Sequence, residues 1–187
     1  NPAQGFSMPG TPDDLSSTNA YELIAGQCTT YALYSPRGIG DQPGRPYPRY
    51  LTGWRSLPDG VLIETNKFFQ FERIADANDA TRSFDVYPFA TNYFPFPAPE
   101  TAESPSGLLS LPYIAFDPQG RLTSRTNELI PLAHGSIFFP QKNDDWLDTK
   151  APDIQIPNYR EAGRTNYNLI HIDWLTGRAK AERIQLK

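Results

Sequence analysis

Apolar and polar positions alternate most clearly in the C-terminal half of the chain, where two strand-turn-strand units carry similar punctuation. The first is Tyr113-Ile114-Ala115-Phe116-Asp117-Pro118-Gln119-Gly120-Arg121-Leu122-Thr123. The second is Asn168-Leu169-Ile170-His171-Ile172-Asp173-Trp174-Leu175-Thr176-Gly177-Arg178-Ala179-Lys180-Ala181. Each is an apolar run, an acidic residue, a turn closed by Gly-Arg, and a return strand, the pattern of a β-hairpin. Side chains alternate across a strand, so Ile170, Ile172 and Trp174 share one face, and Ala179 and Ala181 share a face of the return strand. His171 falls on the face opposite Ile170 and Ile172.

Upstream, the pattern predicts strands over 50–57, 61–65, 68–74 and 84–89, with Pro58-Asp59-Gly60 as the turn between the first two. A longer strand is expected over 130–140. Prolines at 95, 97, 99 and 105 make 90–107 read as a loop, because each removes a ladder donor. Phe94 or Phe96 in that stretch is expected to dock on the body. Residues 141–166, with Pro152 and Pro157, read as a second polar insertion. Residues 35–49, rich in Gly and Pro, read as loop.

One helix is predicted, over 11–34. Thr11 can cap it, Pro12 suits the first helical position, and Asp13 and Asp14 suit the positive end of the dipole. Leu23, Ile24, Cys28 and Tyr31 mark its buried face at helical spacing. Gly26 weakens its middle by about 1 kcal/mol relative to alanine. The expected fold is α+β, a single domain over 1–187. Residues 1–10 are a disordered lead or processing boundary, 11–34 a helix packed on antiparallel sheet, and 50–187 a β-rich head.

Composition agrees with a packed domain. The chain has 187 residues, of which 39% are hydrophobic and 20% charged, enough for one core. With 19 Pro and 13 Gly, short strands and loops are favoured over a helical bundle. A net charge of -4 argues against whole-surface attraction to nucleic acid or anionic membrane. No run approaches the roughly 18 apolar residues of a membrane-spanning helix. The one cysteine, Cys28, cannot form an intrachain disulfide.

Candidate chemistry is sparse. His134 and His171, with Asp173, could supply three zinc ligands, but nothing in their spacing makes them converge. Cys28 lies on the predicted buried helix face, and no Gly-x-Ser-x-Gly elbow exists, so no catalytic residue is expected and the chain reads as a non-enzyme. Asp144, Asp145 and Asp148 form the densest acidic cluster, a weak calcium candidate without EF-hand spacing. A solvated loop is the plainer reading. No cofactor is expected. Arg178, Lys180, Arg183 and Lys187 make the last strand basic; protection of an edge strand is the plainer reading in an acidic chain, and a phosphate-contacting stripe the alternative.

The sequence Ile114-Ala115-Phe116-Asp117-Pro118-Gln119-Gly120, followed by Ile130-Pro131-Leu132, is similar to an apolar-Phe-x-Pro-x-Gly turn of the GspH/FimT-type pseudopilins. The closing Ile170–Ala179 hairpin resembles that family's Thr-Gly-Arg hairpin, and Leu57-Pro58-Asp59-Gly60-Val61 resembles a turn before a family strand. The family's Gly-Phe-Thr-Leu-x-Glu anchor segment does not occur in the sequence. The resemblance implies the soluble head of a bacterial pilin-like protein of a type II secretion or type IV pilus machine. Such a subunit has a methylated N-terminus and is held in the inner membrane by an upstream helix, with its head in the periplasm. It implies a structural role in protein transport through contacts with other pilin-like subunits, without a small-molecule substrate. Tyr93, Phe94, Phe96, Leu175 and Arg178 are the expected partner contacts. The alternative is an extracytoplasmic β-sandwich module that binds a ligand or glycan through its aromatic loops.

Overall fold

Where a helix was expected to continue, the chain turns at Gly26. The computed structural model describes residues 25–38, 40–42, 44–45, 48–75, 81–95, 108–139, 141–142, 146–147, 152–156 and 168–183. Residues 1–24, including Leu23 and Ile24, lie outside the described residues. Of the rest of the predicted helix, only Ala25 is helical. The Gly26 carbonyl accepts hydrogen bonds from the backbone N–H of Thr29 at 3.1 Å and of Thr30 at 2.9 Å. The Thr29 and Thr30 hydroxyls donate to the same carbonyl at 3.2 and 2.8 Å. Cys28 takes a left-handed φ of +62°, which closes the turn. Two short strands follow, β1 (Thr30–Tyr31) and β2 (Tyr34–Ser35). The physical reason is local: a glycine, then two β-branched residues and an aromatic, all of which favour extended backbone. Tyr31, expected on the buried helix face, is 44% exposed.

The α+β expectation is therefore overturned. Among the described residues the fold is a set of small antiparallel sheets, and its one complete helix is the single turn α1 (Asn66–Phe69). The strand expected over 50–57 is two pieces, β3 (Arg49–Tyr50) and β4 (Arg55–Ser56), which pair with β2 and β1. The Pro58-Asp59-Gly60 turn forms as read, with Val61 N–H donating to the Pro58 carbonyl at 3.0 Å. Next come β5 (Val61–Ile63), α1, and then β6 (Glu72–Ala75) paired with β7 (Ser83–Val86). The helical turn takes Phe68 and Phe69 out of the strand expected over 68–74.

The largest sheet has the order β16 (Ala179–Arg183), β15 (Asn168–Ile172), β10 (Glu128–His134), β5. Register fixes its faces. Leu62 opposes Ala133, and Leu169 opposes Pro131. Leu62, Ala133 and Leu169 cluster with Ile74, Phe84 and Val86 of the β6–β7 ribbon, which forms the core. The second hairpin β15–β16 forms as read, and both of its faces are covered: Leu169 is buried on the core face and Ile172 on the opposite one, which it shares with Ile170. On the outside of the ribbon, Arg73 and Asp85 pair at 2.6 and 2.9 Å.

Pro131 sits inside the central strand β10, where proline is rare. Its carbonyl accepts Glu64 N–H at 2.9 Å, so its missing donor faces the point where β5 has already ended. The strand expected over 130–140 breaks at Gly135, giving β10 and β11 (Ser136–Phe138). A Cβ at Gly135 would stand 2.6 Å from the Gln155 carbonyl oxygen of β14 (Asp153–Gln155), the partner of β11. The polar insertion at 141–166 thus contributes strands, including β12 (Gln141–Lys142) paired with β13 (Trp146–Leu147).

The loop expected over 90–107 is corrected in its first part. Ala90–Pro95 is a strand, β8, paired with β9 (Leu108–Tyr113). Residues 96–107, with Phe96, lie outside the described residues. Thr91 opposes Pro112 and Pro95 opposes Leu108, two pairs of the same parity. An antiparallel ladder bonds only alternate pairs, so both prolines fit without costing a donor. Phe94 packs edge-on against Tyr34 at 5.1 Å and Tyr113 at 5.8 Å between ring centres.

Candidate functional site

The two turns that share punctuation in the sequence meet in space. In the first, the Asp117 carboxylate closes its own turn. Its Oδ1 accepts the backbone N–H groups of Gln119 and Arg121, each at 2.9 Å. Its Oδ2 accepts Arg121 Nε at 2.8 Å. Phe116 and Leu122 form the bridge behind it. In the second, Asp173 Oδ1 accepts the Thr176 backbone N–H at 2.8 Å and the Thr176 hydroxyl at 2.7 Å. These are Asp-closed turns, the chemistry that favours Asp at a turn start. Both carboxyls are held below the usual carboxylate range. For Asp117 the chief cause is the Arg121 backbone N–H, and for Asp173 the Thr176 hydroxyl.

Backbone bonds then join the hairpins. Leu122 N–H donates to the Trp174 carbonyl at 2.8 Å, and Trp174 N–H donates to Asn127 Oδ1 at 3.0 Å. Gly177, at φ +63°, lies directly against the Gly120 carbonyl. The result is one corner of the molecule in which a cleft of about 410 Å³ is lined by Asp117, Arg121, Leu122, Thr123, Arg125 and Trp174. Arg125 holds a left-handed φ of +57°, uncommon for a residue with a side chain. Leu175 and Arg178, both expected as partner contacts, are exposed in the second turn, directly after Trp174 of the cleft.

The other expected contacts are dispersed. Tyr93 is 67% exposed on β8, while its neighbour Phe94 turns inward, as strand alternation requires. His134 and His171 cannot share a ligand. His134 opposes Val61, and His171 opposes Leu129, so they project from opposite faces of one sheet. Asp144, Asp145 and Asp148 lie outside the described residues. Among the described residues no three His, Cys, Asp or Glu side chains gather as metal ligands. Cys28 is half-buried against the core, and burial, with a smaller effect from Glu64, pushes its thiol up to about 12. That leaves a protonated, inert thiol at neutral pH.

A buried ionic pair escaped the sequence reading. Lys67 in α1 is fully buried, and its Nζ donates to Glu128 Oε1 and to the Tyr87 carbonyl, over the face of Phe89. Desolvation pulls Lys67 below the usual lysine range, against the Glu128 charge. Glu64 is also fully buried. Its Oε2 accepts the Asn66 N–H at 2.8 Å, and its Oε1 the Thr65 hydroxyl at 3.2 Å. The signal was present: Glu64 has the parity of Leu62, and Lys67 follows one helical turn later.

The chain matches no protein-family model, no curated protein and no solved structure. The functional reading therefore rests on the residues themselves.

Proposed function

We propose that this chain is a non-enzymatic assembly head, a pilin-like subunit of a type II secretion or type IV pilus machine that acts by binding other subunits. The observation that carries the reading is the joined pair of Asp-turn-Gly-Arg hairpins. The two turns that carry the resemblance make one corner, held by Leu122–Trp174 and Trp174–Asn127 hydrogen bonds. That corner presents Leu175 and Arg178 outward in a hydrogen-bonded turn, an arrangement suited to protein contact, where preorganisation favours binding.

The test is capture from a bacterial envelope extract that contains pilin-like subunits, with bound proteins identified by mass spectrometry. Wild-type protein is expected to retain pilin-like subunits, and Leu175→Ala/Arg178→Ala to lose them. Capture of no pilin-like subunit overturns the reading. An in-frame apolar stretch of about 20 residues encoded upstream of Asn1 is the matching genetic expectation.

A second reading, a ligand- or glycan-binding module, draws on the cleft itself. Trp174 beside arginine and aspartate is a lining that a sugar could also use.

A further inference from the structure

The cleft at the hairpin corner has an uneven hydrogen-bonding inventory. Its one carboxylate, Asp117, already accepts Gln119 N–H, Arg121 N–H and Arg121 Nε, three of its roughly four lone-pair sites. Arg121 spends Nε on that bond and one terminal nitrogen on Gln119 Oε1 at 3.4 Å. The Thr123 hydroxyl donates to the Ala115 carbonyl at 3.3 Å. What is left are donors. Among the described residues, the Arg125 guanidinium and the Trp174 indole N–H have no hydrogen-bond or ion-pair partner. Leu122 and the Trp174 ring supply the apolar wall. A site with spare donors, a cationic fork and an apolar wall is complementary to a carboxylate carried next to an apolar side chain.

The donors are also held in place. Trp174 is pinned through its own N–H and C=O to Asn127 and Leu122, on either side of Arg125. Arg125 N–H donates to the Leu122 carbonyl at 3.2 Å, with the residue in a left-handed conformation. Strained backbone of this kind persists where surrounding structure fixes it, and it gathers at ligand clamps.

We infer that the cleft between the two hairpins is a docking site for an acidic peptide segment of a partner protein, in which an Asp or Glu carboxylate engages Arg125 and the Trp174 indole N–H while a neighbouring apolar side chain rests on Leu122 and the Trp174 ring. The inference rests on the assembly reading for the identity of the partner. The chemistry of the cleft does not depend on it. Charge complementarity selects the occupant: the Arg125 fork is cationic and the Trp174 indole N–H is a neutral donor, although the chain as a whole carries a net charge of -4.

The experiment uses the purified protein and the capped peptide acetyl-Asp-Leu-Asp-amide. Binding is followed by calorimetry and by the NMR signal of the Trp174 indole N–H, assigned by its loss in Trp174→Phe. The peptide is expected to bind and shift that signal, with affinity falling as salt rises. The acetyl-Asn-Leu-Asn-amide control is expected to bind at least about tenfold more weakly, the usual worth of a charge-assisted hydrogen bond. Arg125→Asn keeps a residue that tolerates left-handed backbone and should weaken the acidic peptide by a similar factor, with an unchanged NMR spectrum elsewhere. Equal binding of both peptides, full binding by Arg125→Asn, or no binding at millimolar peptide overturns the inference. Binding of oligogalacturonate in place of the peptide also overturns it and moves the site to an acidic glycan. Peptide binding without capture of pilin-like subunits leaves the cleft assignment standing and removes the assembly reading. Capture that is indifferent to Arg125→Asn does the reverse.

Discussion

Gly177 and Gly120 touch backbone to backbone: a Cβ built on Gly177 would stand 2.0 Å from the Gly120 carbonyl oxygen. That single approach welds two hairpins more than fifty residues apart in sequence into one corner. Gly177→Ala must move the Gly120 carbonyl and also pay for a side chain at φ +63°. The expected cost is about 2–4 kcal/mol. Gly60→Ala is the control, since Gly60 has φ +71° but nothing within 4 Å of its built Cβ. It should cost only about 1 kcal/mol. Urea unfolding of both variants checks this; equal losses would mean that conformation alone, without the close approach, explains Gly177.

The two turns were legible because each carries its own chemistry, an Asp to close it and a Gly for the left-handed position; of the paired strands expected beside them, those of the second turn form, and the first closes on the single Phe116–Leu122 bridge. That they meet was not legible, because the contact is made by a backbone carbonyl against a residue without a side chain. Nothing in the sequence marks such a pair. Arg125 was missed for a similar reason: a left-handed arginine has no residue-type signature, unlike glycine or asparagine.

The Lys67–Glu128 pair yields an asymmetric prediction. Lys67 is fully shielded, while the Glu128 side chain keeps 18% of its exposure and can recover some hydration. Glu128→Leu strands a buried ammonium and should cost about 3–5 kcal/mol. Lys67→Met leaves a carboxylate that water can reach and fills similar volume, so it should cost clearly less. The double variant should recover most of the Glu128→Leu loss. Chemical denaturation of the three variants decides, and a Lys67→Met loss as large as that of Glu128→Leu would contradict the difference in burial.

The helix was misjudged through competition between local signals. Thr11 to Asp14 and the spacing of Leu23, Ile24, Cys28 and Tyr31 read as helical, while Gly26-x-Cys28-Thr29-Thr30 supplies a turn and β-branched residues in the same window. In the described part the turn wins, because the Thr29 and Thr30 hydroxyls and amides all converge on one carbonyl, that of Gly26. The proline-rich 90–107 stretch was misjudged in the opposite sense. Spacing Pro95 and Pro112 on one parity of the β8–β9 ladder lets a proline-bearing sequence remain a strand.

Glu64 predicts a pH dependence. Burial holds its carboxyl above the usual range, Glu72 adds to the rise, and the Asn66, Lys67 and Thr65 donors oppose it. In the unfolded chain the same carboxyl ionises earlier. Its stabilising contribution is thus complete below the ordinary glutamate pKa and is lost as pH rises through the higher folded value. Wild-type stability should fall relative to Glu64→Gln as pH rises above the ordinary glutamate value of about 4.3. Glutamine retains an oxygen to accept the Asn66 N–H, so the variant should fold. Parallel stability–pH curves for the two proteins would show that Glu64 ionises normally.

Cys28 tests the same region from the other side. Its thiol is pushed up to about 12, chiefly by burial and secondarily by the Glu64 charge. Only the thiolate reacts with iodoacetamide, so native Cys28 at about pH 8 should be alkylated about 10³-fold more slowly than the same cysteine in the urea-unfolded chain. Glu64→Gln removes the smaller of the two causes and should accelerate the native reaction modestly, leaving most of the protection in place. The measurement is the rate of mass increase on the intact protein. Alkylation of the native protein at the unfolded rate would place Cys28 at the surface, and with it would fail the tight turn in which Gly26, Cys28 and Thr30 bring the chain back onto the core.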